Sequence, residues 1–297
     1  MTNTRAAMIT ICGRPNVGKS TLTNALVGEK IAIVSNKPQT TRNRITAIVS
    51  RGNTQFVLMD TPGFHKPRTR LGDYMVNVVK ESVADVDSVL LLVEPVAAIG
   101  PQEEELIQRL KSTGAPAILV INKIDTVDKT RLLSVMALYA QAFDFDAVIP
   151  VSAKTGEGLG ELMDEMEKYA AEGPHLFPDD MITDQPERQI CAELVREKLL
   201  QCLDREVPHG TAVEVTKFSE RDNGIIDLEV TIYCEKDSHK GIIIGKKGAM
   251  LKKIGELARR DIEAFMGTRV YLQTWVKVKE NWRDSLAQLR NFGFNND

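Results

Sequence analysis

The octapeptide Gly13-Arg14-Pro15-Asn16-Val17-Gly18-Lys19-Ser20 constrains this chain more than any other stretch. It fits the pattern G-x-x-x-x-G-K-[ST], a phosphate-binding loop when a strand precedes it and a helix follows. The residues before it, Ala6 to Cys12, are almost all apolar and predict a buried strand. Thr21 to Val27 predict the first turns of a helix. Gly13 and Gly18 let successive backbone N–H groups turn inward onto phosphate oxygens. The helix adds its unpaired N–H groups and the positive end of its dipole. Lys19 is expected on the β- and γ-phosphates and the Ser20 hydroxyl on Mg²⁺. Arg14, Pro15, Asn16 and Val17 complete the loop, Thr21 follows it, and all are expected at the nucleotide.

A chain of 297 residues predicts two domains. Apolar content of 43% and charged content of 27% describe a globular protein with material for a core. The net charge of −3 excludes a general polyanion binder but not a local basic patch. Cys12, Cys191, Cys202 and Cys234 are far apart and show no C-x-x-C spacing. That argues against structural zinc and a disulfide framework and for a reduced, cytoplasmic setting. Met1 to Met8 has no apolar h-region and is not read as a signal peptide. No apolar run approaches the length that spans a bilayer.

From about residue 6 to 172, apolar runs alternate with amphipathic segments. The runs are Met8–Cys12, Ile45–Ser50, Gln55–Met59, Ser88–Val93, Ala117–Ile121 and Ala147–Val151; the helical segments are 19–27, 71–84, 102–113, 128–142 and 157–171. This alternation predicts an α/β domain with a mostly parallel sheet, helices on both faces, and ligands at the carboxyl ends of the strands. The remaining motifs fall at those ends. Asp60-Thr61-Pro62-Gly63 follows one strand; Asp60 is placed to hold Mg²⁺ and Gly63 to bring a backbone N–H to the γ-phosphate. Asn122-Lys123-Ile124-Asp125 follows another. A carboxylate there accepts from both the ring N–H and the exocyclic amine of guanine, a donor pair that adenine lacks, so Asp125 selects GTP and GDP over ATP. Asn122 is expected to bond the base and brace the phosphate loop, and the stem of Lys123 to lie on the base. Ser152-Ala153-Lys154, one strand later, is read as a second base-contacting loop.

Lys37-Pro38-Gln39-Thr40-Thr41-Arg42 lies where GTPases place a threonine that meets Mg²⁺ and the γ-phosphate. Thr41 is the expected one, with Thr40 the alternative. The five motifs in this order resemble the translation-factor-related GTPases over about the first 170 residues. Ras-like proteins carry a water-positioning Gln after the D-x-x-G glycine; here the residue is Phe64, which cannot hydrogen-bond water. The resemblance implies that Lys19, Thr41, Gly63 and Asn16 carry the catalysis. In GTPases with this apolar replacement an Asn at the position of Asn16 is often a K⁺ ligand. Asn16 is therefore read either as a K⁺ ligand beside the phosphates or as a turn residue. His65 is expected as a surface residue of the same loop.

Residues 173–185, with a Gly, two Pro and an acidic pair at their start, are read as a linker between a GTP-binding domain (1–172) and a second domain (186–297). The second half predicts a helix to about Arg205, strands Thr211–Phe218 and Gly224–Glu235, a helical pair, a strand Arg269–Val278 and a short helix from Glu280. Between the paired helices stands Gly241-Ile242-Ile243-Ile244-Gly245-Lys246-Lys247-Gly248. The last four residues are a G-x-x-G loop, which clamps a nucleic-acid backbone in the K-homology (KH) module. Lys246 and Lys247 add phosphate contacts, and Ile242–Ile244 are expected to line a groove for single-stranded bases. The order α-β-β-α-α-β is that of the second KH topology. From Lys240 to Lys279 ten basic residues face three acidic ones, a local footprint for a polyanion on an acidic chain. Tyr271 and Trp275 could stack bases but, in a strand, are read as core. The tail 291–297 is polar and expected to fray.

Taken together, G-R-P-N-V-G-K-S, Q-T-T-R, D-T-P-G, N-K-I-D, S-A-K, P-E-R-Q-I and G-K-K-G resemble the Era family of bacterial GTPases over nearly the whole chain. That resemblance implies a GTP-hydrolysing switch that binds the 3′ end of small-subunit rRNA and helps assemble the small ribosomal subunit. It also implies a cytoplasmic protein that can associate peripherally with the inner face of the cell membrane.

Overall fold

The computed structural model describes residues 4–64, 66–83 and 86–294. The elements in chain order are β1 (Arg5–Cys12), α1 (Lys19–Val27), β2 (Ile45–Arg51), β3 (Thr54–Asp60), α2 (Arg70–Ser82), β4 (Ser88–Val93), α3 (Pro101–Thr113), β5 (Ala117–Ile121), α4 (Lys129–Ala142), β6 (Ala147–Pro150), α5 (Leu159–Met166), β7 (Ala171–Glu172), α6 (Glu187–Cys202), β8 (Ala212–Glu220), β9 (Ile226–Cys234), α7 (Asp237–Ile244), α8 (Ala249–Met266), β10 (Val270–Val278) and α9 (Leu286–Asn291). The chain divides into two compact units. The first comprises the described residues within Met1–Ala32, Thr41–Lys66 and Met75–Asp184; the second comprises those within Ile33–Thr40, Pro67–Tyr74 and Gln185–Asp297.

The first unit is built on one sheet in the order β2-β3-β1-β4-β5-β6. The strands from β3 to β6 run parallel, β2 is antiparallel to β3, and β7 pairs antiparallel with the start of β1. Alternate residues feed two apolar layers: Leu90, Leu92, Ile118 and Val120 enter one, Val89, Leu91, Leu119 and Ile121 the other. A strand buried on both faces needs such continuous apolar runs. Because β1, β3, β5 and β6 are parallel, the loops after them share one edge. The helix expected over 157–171 is shorter: α5 ends at Met166, a 3₁₀ turn follows, and Ala171–Glu172 becomes β7.

Of the segment 173–185 expected to link two domains, residues 173–184 run along the first unit. The side chain of the fully buried Gln55 takes the N–H groups of Leu176 and Phe177 at 2.9 and 3.0 Å and donates to the Phe177 carbonyl at 2.9 Å. Further on, the Ile48 N–H donates to the Ile182 carbonyl at 2.9 Å and Ala47 bridges to Thr183. The segment thus covers the open edge of β2, where unpaired backbone groups otherwise face solvent.

In the second unit β10, β9 and β8 form a sheet, β8 antiparallel and β10 parallel to β9. Its core joins Leu194, Leu199, Val230, Ile232, Ile243, Ile254 and Ile262, and Ile33 belongs to it. The order α-β-β-α-α-β is the expected one. Up to residue 294 the tail packs where its polarity predicts fraying: Phe292 and Phe294 lie against Trp282, at ring separations of 5.3 and 6.2 Å, and Phe294 also meets Tyr74 at 5.7 Å. Residues 295–297 lie outside the described residues.

Candidate nucleotide site and nucleic-acid interface

The loop after β1 carries the backbone that its glycines predict. Gly13 and Gly18 hold φ of 152° and 101°. A Cβ on Gly13 would stand 2.4 Å from the Leu92 carbonyl oxygen, and one on Gly18 2.3 Å from Asn122 Nδ2. Both positions therefore require the absence of a side chain. Val17 is buried beneath the loop, and Arg14, Pro15 and Thr21 are partly exposed around it. Lys19 is buried, with Nζ 3.2 Å from both the Gly13 and Arg14 carbonyls, and burial lowers its pKa against the opposing charge of Asp60. Cys12, directly before the loop, has its thiol pushed up to about 12 by burial, with Lys19 pulling the other way.

Three oxygens from separate segments converge beside Lys19. Ser20 Oγ lies 2.7 Å from Asp60 Oδ2 and 2.8 Å from Thr41 Oγ1. Asp60 is fully buried, and burial raises its pKa to about 6 despite Lys19 and the Ser20 hydroxyl. Its other oxygen, Oδ1, is buried without a hydrogen-bond partner. A hard divalent cation is bound by such a set of hydroxyl and carboxylate oxygens, and one there would satisfy the orphaned Oδ1. The residues fit Mg²⁺. Thr40, the alternative to Thr41, turns its hydroxyl back onto the Lys37 carbonyl at 2.7 Å.

Thr61, Pro62 and Gly63 are buried after Asp60, and the Thr61 hydroxyl donates to the Ile11 carbonyl at 2.8 Å. A Cβ on Gly63 would stand 2.8 to 2.9 Å from Pro15, so the two loops meet closely. Phe64 is 4% exposed and packs among Cys12, Val76 and Val79. Its ring therefore serves the core. His65 lies outside the described residues.

Asn122 is the brace that its position predicts. Its Nδ2 donates to the Val17 carbonyl at 2.8 Å and its Oδ1 accepts from the Ala153 N–H at 3.0 Å. Asp125 is exposed and accepts from the Ser152 hydroxyl at 2.7 Å, which joins the two loops expected at the base. Lys154 is exposed beyond it. Lys123 holds a left-handed backbone, φ 64°, and its Nζ donates to the Asn16 carbonyl at 2.6 Å. Asn16 is itself left-handed, φ 68°. Sequence reasoning missed Glu94. Its carboxylate takes Lys123 Nζ at 2.5 Å and pairs with Arg14, which also reaches Glu103 at 3.2 Å. Burial opposes the charge of Glu94, but Lys123 and Arg14 outweigh it and hold the carboxyl below its usual range.

In the second unit, Gly245 to Gly248 form the tight connection between α7 and α8. Gly245 and Gly248 have φ of 71° and 79°, and Lys247 is held at 53°. A Cβ on Gly245 would stand 2.7 Å from that of Met250, whereas one on Gly248 would meet nothing within 4 Å. Lys246 and Lys247 are exposed, as are Gly241 and Ile242 on α7. One expectation is corrected. Ile243 is fully buried in the core and lines no groove, while Ile242 is 49% exposed and Ile244 is partly exposed. Three consecutive residues of a helix point about 100° apart and cannot share one face. A second correction concerns β10: Tyr271 and Trp275, expected in the core, are 52% and 55% exposed. Strand alternation gives the inner face to Val270, Leu272 and Val276.

Residues 8–123 match the family described as 50S ribosome-binding GTPase, and residues 206–283 match the KH domain. The chain is 51% identical to GTPase Era of Ruminiclostridium cellulolyticum, over 98% of this chain and 97% of the relative. It is 50% identical to GTPase Era of Clostridioides difficile, over 98% and 99%. Among solved structures, a variant of Era from Aquifex aeolicus bound to GDP and AlF4⁻ is 37% identical, with a TM-score of 0.94 over 98% of this chain and 100% of that one. Era in complex with MgGDPNP and nucleotides 1506–1542 of 16S ribosomal RNA is also 37% identical, with a TM-score of 0.95 over 99% and 100%.

Proposed function

Because the chain belongs to the Era family of GTPases, we propose that it is a GTP-hydrolysing switch that binds the 3′ region of small-subunit rRNA and assists assembly of the small ribosomal subunit. The observation that carries the enzymatic part is the convergence of Lys19, Ser20, Thr41 and Asp60, with Asp60 Oδ1 left unpartnered. Ser20, Thr41 and Asp60 would hold Mg²⁺, which supplies positive charge to the β- and γ-phosphates when bound. Lys19 adds a point charge, the backbone from Gly13 to Thr21 cradles the phosphates, and the Gly63 N–H faces the γ-phosphate. Asp125 selects guanine, Asn122 ties the base loop to the phosphate loop, and Ser152, Ala153 and Lys154 close the base pocket. Asn16 and K⁺ beside the phosphates supply charge where Phe64 offers no hydrogen bond.

The RNA site is the exposed part of α7 and its loop: Gly241, Ile242, Ile244, Gly245, Lys246, Lys247 and Gly248. The two positive-φ glycines bring the backbone close to a single strand, and the lysines meet its phosphates. Cytoplasmic location and peripheral contact with the inner membrane face have the family resemblance behind them. No helix among the described residues is long and apolar enough to cross a membrane.

GTP turnover by the purified chain in K⁺ buffer, with and without an oligonucleotide from the 3′ end of small-subunit rRNA, tests this reading. RNA-stimulated turnover supports it. RNA bound without any GTP turnover would leave a passive RNA-binding protein in which GTP is only a structural ligand.

A further inference from the structure

In the sheet of the first unit β4 lies between β1 and β5, with Cys12 level with Leu91 and Val93 level with Ile121. The strands are parallel, so the residues that follow them emerge at one edge. Glu94, directly after β4, therefore stands between Arg14 of the phosphate loop and Lys123 of the base loop. Its two carboxylate oxygens divide between these neighbours. Oε1 accepts from Lys123 Nζ at 2.5 Å, and Oε2 accepts from the Arg14 guanidinium.

Both neighbours are held from a second side. Arg14 Nε lies 3.2 Å from the Glu103 carboxylate, which is buried in the first turn of α3. Glu103 thus fixes Arg14, Arg14 fixes Glu94, and Glu94 fixes Lys123. The Lys123 ammonium also donates to the Asn16 carbonyl at 2.6 Å. Lys123 and Asn16 both keep a left-handed backbone, at φ 64° and 68°, a region that non-glycine residues enter sparsely. With both the backbone and the ammonium of Lys123 fixed, the course of its aliphatic stem is set. A lysine already held in this way loses less side-chain freedom when a ligand arrives.

We propose that Glu94 is a positioning residue for guanine-nucleotide binding: braced by Arg14, it pins the Lys123 ammonium and so sets the course of the stem expected against the base. It acts through Lys123 rather than on the nucleotide. An ionised carboxylate is required, because it accepts from two cations at once and an amide of the same shape does not. This inference rests on the GTPase reading above and deepens it, by naming a group that prepares the base site in advance of the ligand.

The test is a double-mutant cycle on GDP affinity in the full chain, with wild type, E94Q, K123M and the double variant E94Q/K123M. GTP turnover is measured alongside. K123M keeps an unbranched stem and removes the ammonium. E94Q and K123M should each weaken GDP about tenfold, the scale of one hydrogen bond to a charged group, and the double variant should bind no more weakly than K123M. In E94Q the KM for GTP should rise by about the same factor with kcat within about twofold of wild type, the pattern of lost binding rather than lost chemistry. E94D keeps the charge on a shorter arm and should recover part of the loss. A double variant about a hundredfold weaker than wild type, the product of two independent effects, would show that Glu94 does not act through Lys123, as a merely structural group would not, and overturns the proposal. So does an unchanged GDP affinity in E94Q, or a fall in kcat with KM unchanged. Should E94Q not fold, E94D takes its place in the same cycle. A wild-type chain that binds no guanine nucleotide would overturn the GTPase reading instead.

Discussion

The hydroxyls of Ser20 and Thr41 stand 2.8 Å apart, one at the start of the helix after the phosphate loop and the other at the end of a long connection. Asp60 completes the group from the end of β3. Three segments distant in sequence therefore present oxygens to one point, as a divalent cation requires.

In the proposed reading Asp125 selects the base. With Asp125→Asn the ring N–H and exocyclic amine of guanine lose their common acceptor, and GTP affinity should fall on the order of a hundredfold or more. Xanthosine triphosphate, which carries a carbonyl in place of the amine, should then bind better than GTP. Competition binding with the two nucleotides reads this directly. An unchanged preference for GTP would place base recognition elsewhere.

Gly63 stands against Pro15 with no room for a methyl group. Gly63→Ala must push the phosphate loop or the Asp60–Gly63 loop aside. Displacements of about 1 Å at a reacting centre can cost about a hundredfold, so single-turnover hydrolysis should slow by about that factor. Hydrolysis at the wild-type rate would mean that the two loops separate freely.

Gly248 differs, because open space surrounds the position of its Cβ. Gly248→Asp adds backbone strain of about 1–2 kcal/mol at a left-handed residue and leaves the core untouched. It also sets a negative charge where an RNA backbone would pass, and RNA affinity should drop about tenfold or more. Wild-type RNA affinity in this variant would remove the loop from the interface.

His175 is the group to watch as pH changes. Its Nδ1 lies 2.5 Å from Asp179 Oδ1 and its Nε2 3.0 Å from the Asn53 carbonyl, so both neighbours are acceptors. Asp179 first, then Asn53, raise the imidazole pKa above 6.5. A raised folded-state pKa gives stability that is complete below the unfolded value and lost as pH rises through the folded one. The urea midpoint should therefore decline between about pH 6 and pH 8, and His175→Gln should flatten that decline. Equal slopes in the two proteins would contradict it.

Potassium is the remaining catalytic prediction. Phe64 is turned into the core, so no side chain at that position orients water. Turnover should be several-fold higher in KCl than in NaCl at equal ionic strength, with Asn16→Ala abolishing the difference. Equal rates in the two salts would exclude the cation.

Much of this was legible in the sequence because phosphate and guanine sites are built from short spacings at strand ends. Gly13, Gly18 and Gly63 could be recognised because their positions tolerate no Cβ. Glu94 could not. It reaches both Arg14 and Lys123 because β4 lies between β1 and β5 in the sheet, and strand order is not written in any motif. Ile243 was misread as a groove residue, since a run of three isoleucines hides which one the helix turns inward. Tyr271 and Trp275 failed for the opposite reason: size and apolarity suggested core, but alternation along β10 gave them the outer face. The hydrogen bonds from Arg196 to the Gln39 and Thr40 carbonyls could not be read from the sequence either, because each spans more than 150 positions.

In the proposed function the nucleotide site and the KH module form one switch. Its most direct test is the affinity of the full chain for a single-stranded oligonucleotide from the 3′ end of small-subunit rRNA, measured with GDP and with a non-hydrolysable GTP analogue. Coupling between two sites is reciprocal. RNA affinity should differ between the two nucleotide states, typically about 5- to 150-fold, with a change of the same factor in the affinity for the GTP analogue relative to GDP when RNA is added. Equal RNA affinity in both states would rule out such a switch and leave two independent modules on one chain.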